Sequence, residues 1–318
     1  MNLKVYWDSG VVVQLGETTI CLDPQTTKIP YDHILISHAH RDHTAGFLAL
    51  KPKKYSTYPT IDIFEAVTRR KVNNVKRLSY GEKVKIGDFK VFVYNSGHIL
   101  GSAMFKIETS EGTVLYTGDL NCVDTLITSA ANNVQCDILI IESTYGNSGL
   151  VFPSREKIYR SMVRWVVEKI CSGKIPIFYV YPVGKAQEVI RLLNEFIEVE
   201  VAVHPTIERV NRVYGRLNIK LQASTVQPKK GLVAVYPTYS YSSQKISGEV
   251  SAFATGWALR FKNKERFFPL SSHADFNQLL NFIKSVNPKI VYTVFGFTSQ
   301  LAKHVGKKLN IKAKPLQI

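Results

Sequence analysis

Ser37-His38-Ala39-His40-Arg41-Asp42-His43 puts three imidazoles and a carboxylate within six residues, a density of metal-binding groups that no apolar core requires. The stretch follows Ile34-Leu35-Ile36, a short apolar run that reads as a buried strand, and precedes Thr44-Ala45-Gly46-Phe47, which reads as a helix start. The cluster therefore hangs from a strand-to-helix loop. In extended chain His38 and His40 share one face, so one metal takes that pair and a second takes Asp42 and His43. Such a pair of sites needs a further imidazole and a bridging carboxylate.

Later strand ends supply both. Strands expected at Val84–Ile86 and Phe89–Tyr94, joined by Gly87-Asp88, lead to the glycine-rich loop Gly97-His98-Ile99-Leu100-Gly101. Strands at Met104–Thr109 and Thr113–Thr117 run into Gly118-Asp119, and an apolar strand Asp137–Ile141 ends in Glu142-Ser143-Thr144-Tyr145-Gly146. His98 completes the set of imidazoles, and Asp119 bridges. The N-terminal residues form a meander of strands Leu3–Trp7, Val11–Leu15 and Thr18–Leu22, closed by Asp23-Pro24; a helix covers about 61–70.

Beyond about residue 148 the pattern changes to alternating helices and strands. Ser154 caps a helix to Cys171, Ile175–Val180 is a buried strand, and Gly184-Lys185-Ala186-Gln187 opens an amphipathic helix. Lys185 thus sits at a helix N-terminus, where backbone amides favour anions. Short strands follow at 199–203, 231–236 and 251–255, with His204 in a loop before Pro205 and a hydroxyl and aromatic cluster at Tyr236 to Ser243, where Tyr236, Tyr239 and Tyr241 offer base-stacking rings. Asp275 precedes a helix to Val286, then come a strand to Val294 and a last helix from Thr298 to Leu309, which carries His304.

Composition sets the partners. The 318 residues are 45% apolar, enough for one large or two modest packed domains, and 41 Lys plus Arg against 25 Asp plus Glu leave a net charge of +16, which suits a polyanion. Four dispersed cysteines form neither a zinc-finger pattern nor a disulfide framework, in keeping with a reducing cytoplasm. The sequence shows no secretory leader and no membrane-spanning apolar run.

The ordered motifs Ser37 to His43, Gly97-His98 and Thr117-Gly118-Asp119 resemble those of the metallo-β-lactamase fold, an αββα sandwich. Glu142 resembles the acidic motif A of its nucleic-acid-processing β-CASP branch, His273 in Ser272-His273-Ala274-Asp275 the motif B histidine, and Pro182 to Gln187 the start of the inserted β-CASP domain. The resemblance implies a metallo-β-lactamase domain of residues 1–147 and 251–318, with a small α/β β-CASP domain, 148–250, inserted. It also implies a metal-dependent nuclease acting on phosphodiester bonds. Asp42, His273 and Glu142 are then the catalytic residues, His38, His40, Asp42, His43, His98 and Asp119 the metal ligands, and Lys185 a nucleic-acid contact.

One departure stands out. The position that matches the family's motif C histidine holds Phe295, which cannot coordinate, so the expectation is one tightly bound zinc through His38, His40, His98 and Asp119, and a weaker second site for manganese or zinc through Asp42, His43 and Asp119. The missing histidine, shared with family members acting on DNA, favours a DNA exonuclease of repair or end processing over an RNA-processing nuclease. A non-catalytic binding subunit would not need six intact ligands, and a small-molecule hydrolase would need neither the insert nor the positive charge.

Overall fold

The computed structural model describes residues 3–241, 247–261 and 266–316. In chain order its elements are β1 (Leu3–Trp7), β2 (Val11–Leu15), β3 (Thr18–Leu22), β4 (His33–Leu35), a 3₁₀ turn (Ala45–Leu48), β5 (Lys53–Thr57), α1 (Tyr58–Thr68), β6 (Val75–Leu78), β7 (Lys83–Ile86), β8 (Phe89–Asn95), β9 (Ala103–Thr109), β10 (Gly112–Tyr116) and β11 (Ile138–Ser143). Then come α2 (Arg155–Cys171), β12 (Ile175–Val180), α3 (Lys185–Phe196), β13 (Val201–Val203), α4 (Pro205–Arg216), β14 (Val233–Pro237), β15 (Glu249–Ala254) and β16 (Phe267–Phe268). The chain closes with α5 (Phe276–Val286), β17 (Ile290–Gly296), α6 (Thr298–Leu309) and β18 (Lys312–Pro315).

Two compact units result. The first takes Met1–Asp124, Ser129–Val151 and His273–Ile318; the second takes Thr125–Thr128 and Phe152–Ser272. In the first unit, strands in the order β1-β2-β3-β4-β5-β6 face a sheet in the order β18-β17-β11-β10-β9-β8-β7. Period-two alternation builds the layer between them: Val11, Val13, Ile20, Leu22 and Leu35 from one sheet meet Val91, Phe105, Ile107, Val114 and Tyr116 from the other, all fully buried. The alternate residues pack outward. Ile34 and Ile36 meet Ile61 and Phe64 of α1, while Leu115, Leu139 and Val291 meet Leu279, Ile283, Leu301 and Val305 of α5 and α6. The layers run helix, sheet, sheet, helix, as the αββα resemblance implied.

The second unit is a parallel sheet in the order β13-β14-β12-β15-β16. Trp165 and Val166 of α2 and Val189, Ile190 and Leu193 of α3 cover Phe178, Val180, Val233 and Val235 on one face of it. The expected end of the insert at 250 moves to Ser272, because β15 hydrogen-bonds to β12 and β16 to β15.

Most expected elements appear within a few residues of their predicted bounds. Four differ. The helix expected at Thr44 is only a 3₁₀ turn. Strand β11 runs on through Glu142 and Ser143, because Glu142 pairs with Val294 of β17. Helix α4 was read as loop, although Pro205 at its first position supplies a helix-ready φ and His204 caps it, its Nδ1 accepting from the Thr206 amide at 3.1 Å. Strand β18, rich in lysine, forms only because it pairs with β17.

Candidate metal centre

Four loops in the first unit carry the site. The cluster follows β4, His98 lies in the turn between β8 and β9, Asp119 follows β10, and His273 precedes α5. Two glycines set the loop paths: Gly97 (φ 73°) packs so tightly that a Cβ would sit 2.4 Å from the Asn121 carbonyl oxygen, and at Gly118 (φ 54°) it would lie 2.7 Å from the Ser37 side chain.

His38, His40, His98 and Asp119 each present a ligand atom, all within 4.8 Å of one another. His38 Nε2 is 3.2 Å and His98 Nε2 3.5 Å from Asp119 Oδ2, and His40 Nδ1 is 3.0 Å from His98 Nε2. Ligand atoms about 2.0–2.1 Å from a tetrahedral zinc lie about 3.3 Å apart, so this spacing fits a zinc-sized ion. The buried His38 Nε2 makes no hydrogen bond of good geometry, and its near neighbour at 3.2 Å, Asp119 Oδ2, is itself a ligand atom, as a metal site would require. Burial holds the His98 imidazole well below its usual pKa, with neighbouring imidazoles adding to the effect, which keeps it neutral and able to ligate. Burial alone would raise the Asp119 carboxyl, but His43, His38 and His273 outweigh it and hold the group well below the usual carboxylate range.

The remaining predicted ligands converge from the other side of Asp119. His43 Nε2 is 3.6 Å from Asp119 Oδ1 and 3.7 Å from Asp42 Oδ2, and Asp42 is the solvent-facing member, its side chain 77% exposed. Phe295 closes this side, its ring 5.2 Å from that of His43. It is the extra residue of a bulge opposite Glu142 and Ser143, held in the left-handed region at φ 56°.

Glu142 and His273 lie within hydrogen-bonding distance of each other. Glu142, fully buried, accepts from the Leu120 amide at 2.7 Å and from His273 Nδ1 at 2.9 Å, which turns His273 Nε2 toward Asp119 Oδ2 at 3.8 Å. His304 stacks edge-on against Phe276 and His33 contacts the Tyr55 hydroxyl, so neither joins the cluster.

Sequence reasoning missed Asp23. Its buried carboxylate accepts from the Ser37 amide (2.7 Å) and hydroxyl, the Tyr116 hydroxyl (2.8 Å) and His43 Nδ1 (2.8 Å). It fixes the His43 ring with Nε2 facing the site. Burial opposes charge on His43, yet Asp119 and Asp23 on either side push its pKa up to about 10. The signal was available: Asp23 ends a strand in a carboxylate, as β10 runs into Asp119, but the following proline made it read as a turn.

In the second unit, Lys185 is buried at the start of α3, its Nζ 5.6 Å from the Tyr181 ring, and burial lowers its pKa to about 8. Gln187 holds this turn, accepting from the Gly184 amide and donating to the Pro182 carbonyl. Tyr241 meets the rings of Tyr179 and Phe253, so it packs within the unit; residues 242 and 243 of the hydroxyl cluster lie outside the described residues. Among the described residues no helix is long and apolar enough to cross a membrane.

Residues 7–156 match the model of the Beta-lactamase superfamily domain. The chain is 30% identical, over 86% of its length, to 28% of a protein named Probable DNA ligase from Opitutus terrae. It is 34% identical, over 61% of its length, to 49% of an RNase J-like protein from Methanocaldococcus jannaschii. The same identity, again over 61%, holds against 29% of Cleavage and polyadenylation specificity factor subunit 3 from Dictyostelium discoideum. The chain thus spans less than half the length of these relatives. A solved structure of a protein of unknown function from Enterococcus faecalis V583 shares the fold at TM-score 0.68 and 13% identity, covering 99% of this chain and 97% of that one.

Proposed function

Because the chain belongs to the metallo-β-lactamase superfamily and stands among relatives of the β-CASP nuclease type, we propose that it is a metal-dependent nuclease acting as an exonuclease on DNA. The observation that carries this is the buried Glu142 holding the half-buried His273 toward Asp119, a carboxylate that also stands beside His38, His98 and His43. A bound divalent ion supplies Lewis-acid stabilisation of phosphate charge and a nucleophile at neutral pH. His38, His40, His98 and Asp119 hold the tight ion, and Asp42, His43 and Asp119 the weaker one.

Asp42, exposed beside His43, orients the attacking water and takes its proton. Glu142 keeps Nδ1 of His273 as donor and Nε2 toward the substrate, where it binds the scissile phosphate or protonates the leaving oxygen. Lys185 contacts the nucleic-acid backbone, since a phosphate offsets the desolvation of its ammonium.

DNA is favoured by Phe295 at the motif C position and by the match over 86% of the chain to a protein named as a DNA ligase. An RNA strand is the second reading, favoured by the 34% identity to the RNase J-like protein. The test is purified protein with zinc or manganese on end-labelled DNA and RNA of identical sequence. We expect trimming of DNA, lowered about 10²- to 10⁴-fold in Asp42→Ala and in His273→Ala with folding intact. Cleavage of RNA alone overturns the DNA preference, and full activity in Asp42→Ala overturns the scheme.

A further inference from the structure

Val5, Trp7, Tyr292, Lys314, Pro315 and Leu316 line an open cleft of about 660 Å³ in the first unit, between the edge strand β1 of one sheet and β17 and β18 of the other. Its volume lies within the range of small-ligand pockets. Tyr6, Trp7 and Tyr292 supply its aromatic lining and Val5, Pro315 and Leu316 its aliphatic part, and among the described lining residues the cation is the exposed Lys314, its Nζ 5.4 Å from the Tyr292 ring centroid. Trp7 meets the ring of Phe295 edge-on at 6.0 Å, and Phe295 in turn meets His43 at 5.2 Å. The cleft is therefore one ring removed from the metal ligands.

We propose that this cleft is a nucleotide subsite: it takes one base of the substrate strand, next to the scissile bond, against Trp7 and Tyr292, with Lys314 meeting the adjoining phosphate. The proposal rests on the nuclease reading. Aromatic faces bind any base, and a lone cation beside them suits a nucleotide better than an uncharged ligand. The bulge that puts Phe295 in the left-handed region sets its ring between Trp7 and His43, which places the cleft beside the His43 side of the metal centre. The net charge of +16 complements the strand.

The test scans a single abasic position along a labelled strand, measuring cleavage and, in parallel, binding by fluorescence anisotropy, with wild type, Trp7→Ala and the surface variant Lys314→Glu. Wild type should lose affinity about 10-fold when the abasic position falls at one fixed distance from the cleaved bond. Trp7→Ala should be weaker overall and insensitive at that position, and Lys314→Glu should weaken every strand. Because Trp7 packs partly on the core, melting curves accompany both variants, and Lys314→Glu carries the test if Trp7→Ala unfolds. If wild type cleaves but no position depends on Trp7 and Lys314→Glu binds normally, the subsite falls and the nuclease reading stands. If wild type neither binds nor cleaves any strand, both fall.

Discussion

Asp23 is the residue on which the His43 side of the metal centre depends, although it touches no metal in the proposed scheme. It gathers four donors, one of them His43 Nδ1. Asp23→Asn should weaken zinc binding about 10- to 100-fold in competition with a chromophoric chelator; unchanged affinity would falsify the positioning role. Lys185 makes an opposite kind of prediction. Its folded pKa of about 8 lies below the 10.5 of the free side chain, so the unfolded chain binds the proton more tightly. The penalty is full below pH 8 and is relieved as pH rises to 10.5. Lys185→Met should thus stabilise the protein at pH 7, by up to about 3 kcal/mol, and the advantage should vanish toward pH 10.5 in denaturant melts. A constant difference across that range would count against it. If Lys185 contacts phosphate, the same variant binds a labelled strand more weakly.

Elements place these residues, and their ends matter more than their middles. Helix α5 starts at Asp275, whose carboxylate accepts from the Gln278 amide at 2.9 Å while Gln278 returns the contact to the Asp275 amide at 3.1 Å. Two residues earlier stands His273, so the cap also anchors the motif that faces the metal. Asp275→Ala should lower stability by about 1 kcal/mol in chemical denaturation; no change would mean the box contributes nothing. Where the loops after β4 and β10 cross, Gly118→Ala would drive a Cβ onto Ser37 and force a left-handed alanine, costing about 1–3 kcal/mol. Because Ser37 holds both Asp23 and His38 Nδ1, zinc affinity should fall as well. A variant that melts early but binds zinc normally would separate the two effects. Elements with a strong local pattern, such as β1 to β3 and α5, were legible in sequence. Helix α4 was not, because its proline start read as a break, and β18 was not, because its lysines carry no strand signal until β17 offers a partner.

For the whole molecule, charge and metal set the behaviour. Held through about four phosphates, a single strand should lose about 50-fold in affinity between 50 and 200 mM salt; a flat salt response would contradict a polyanion substrate. Saturating zinc at 100-fold over its Kd should stabilise the fold by about 2.7 kcal/mol, read as a rise in Tm reversed by chelator, and an unmoved Tm would argue against a preformed site. The sequence alone carried the strands around the site and the dense cluster of imidazoles and carboxylates, because period-two alternation and the His-x-His-x-Asp-His spacing are local patterns written in consecutive residues, while the αββα arrangement and the insert were expected only from the resemblance of its motifs to a known family. Tertiary structure decided the rest. Asp23 and Tyr116 are 93 residues apart and Glu142 and His273 131 apart, and only the pairing of strands across two sheets, with β17 beside β11, brings such groups within hydrogen-bonding distance. Likewise Phe295 reads in sequence as a missing ligand, and only the bulge in β17 shows its ring lying between His43 and Trp7.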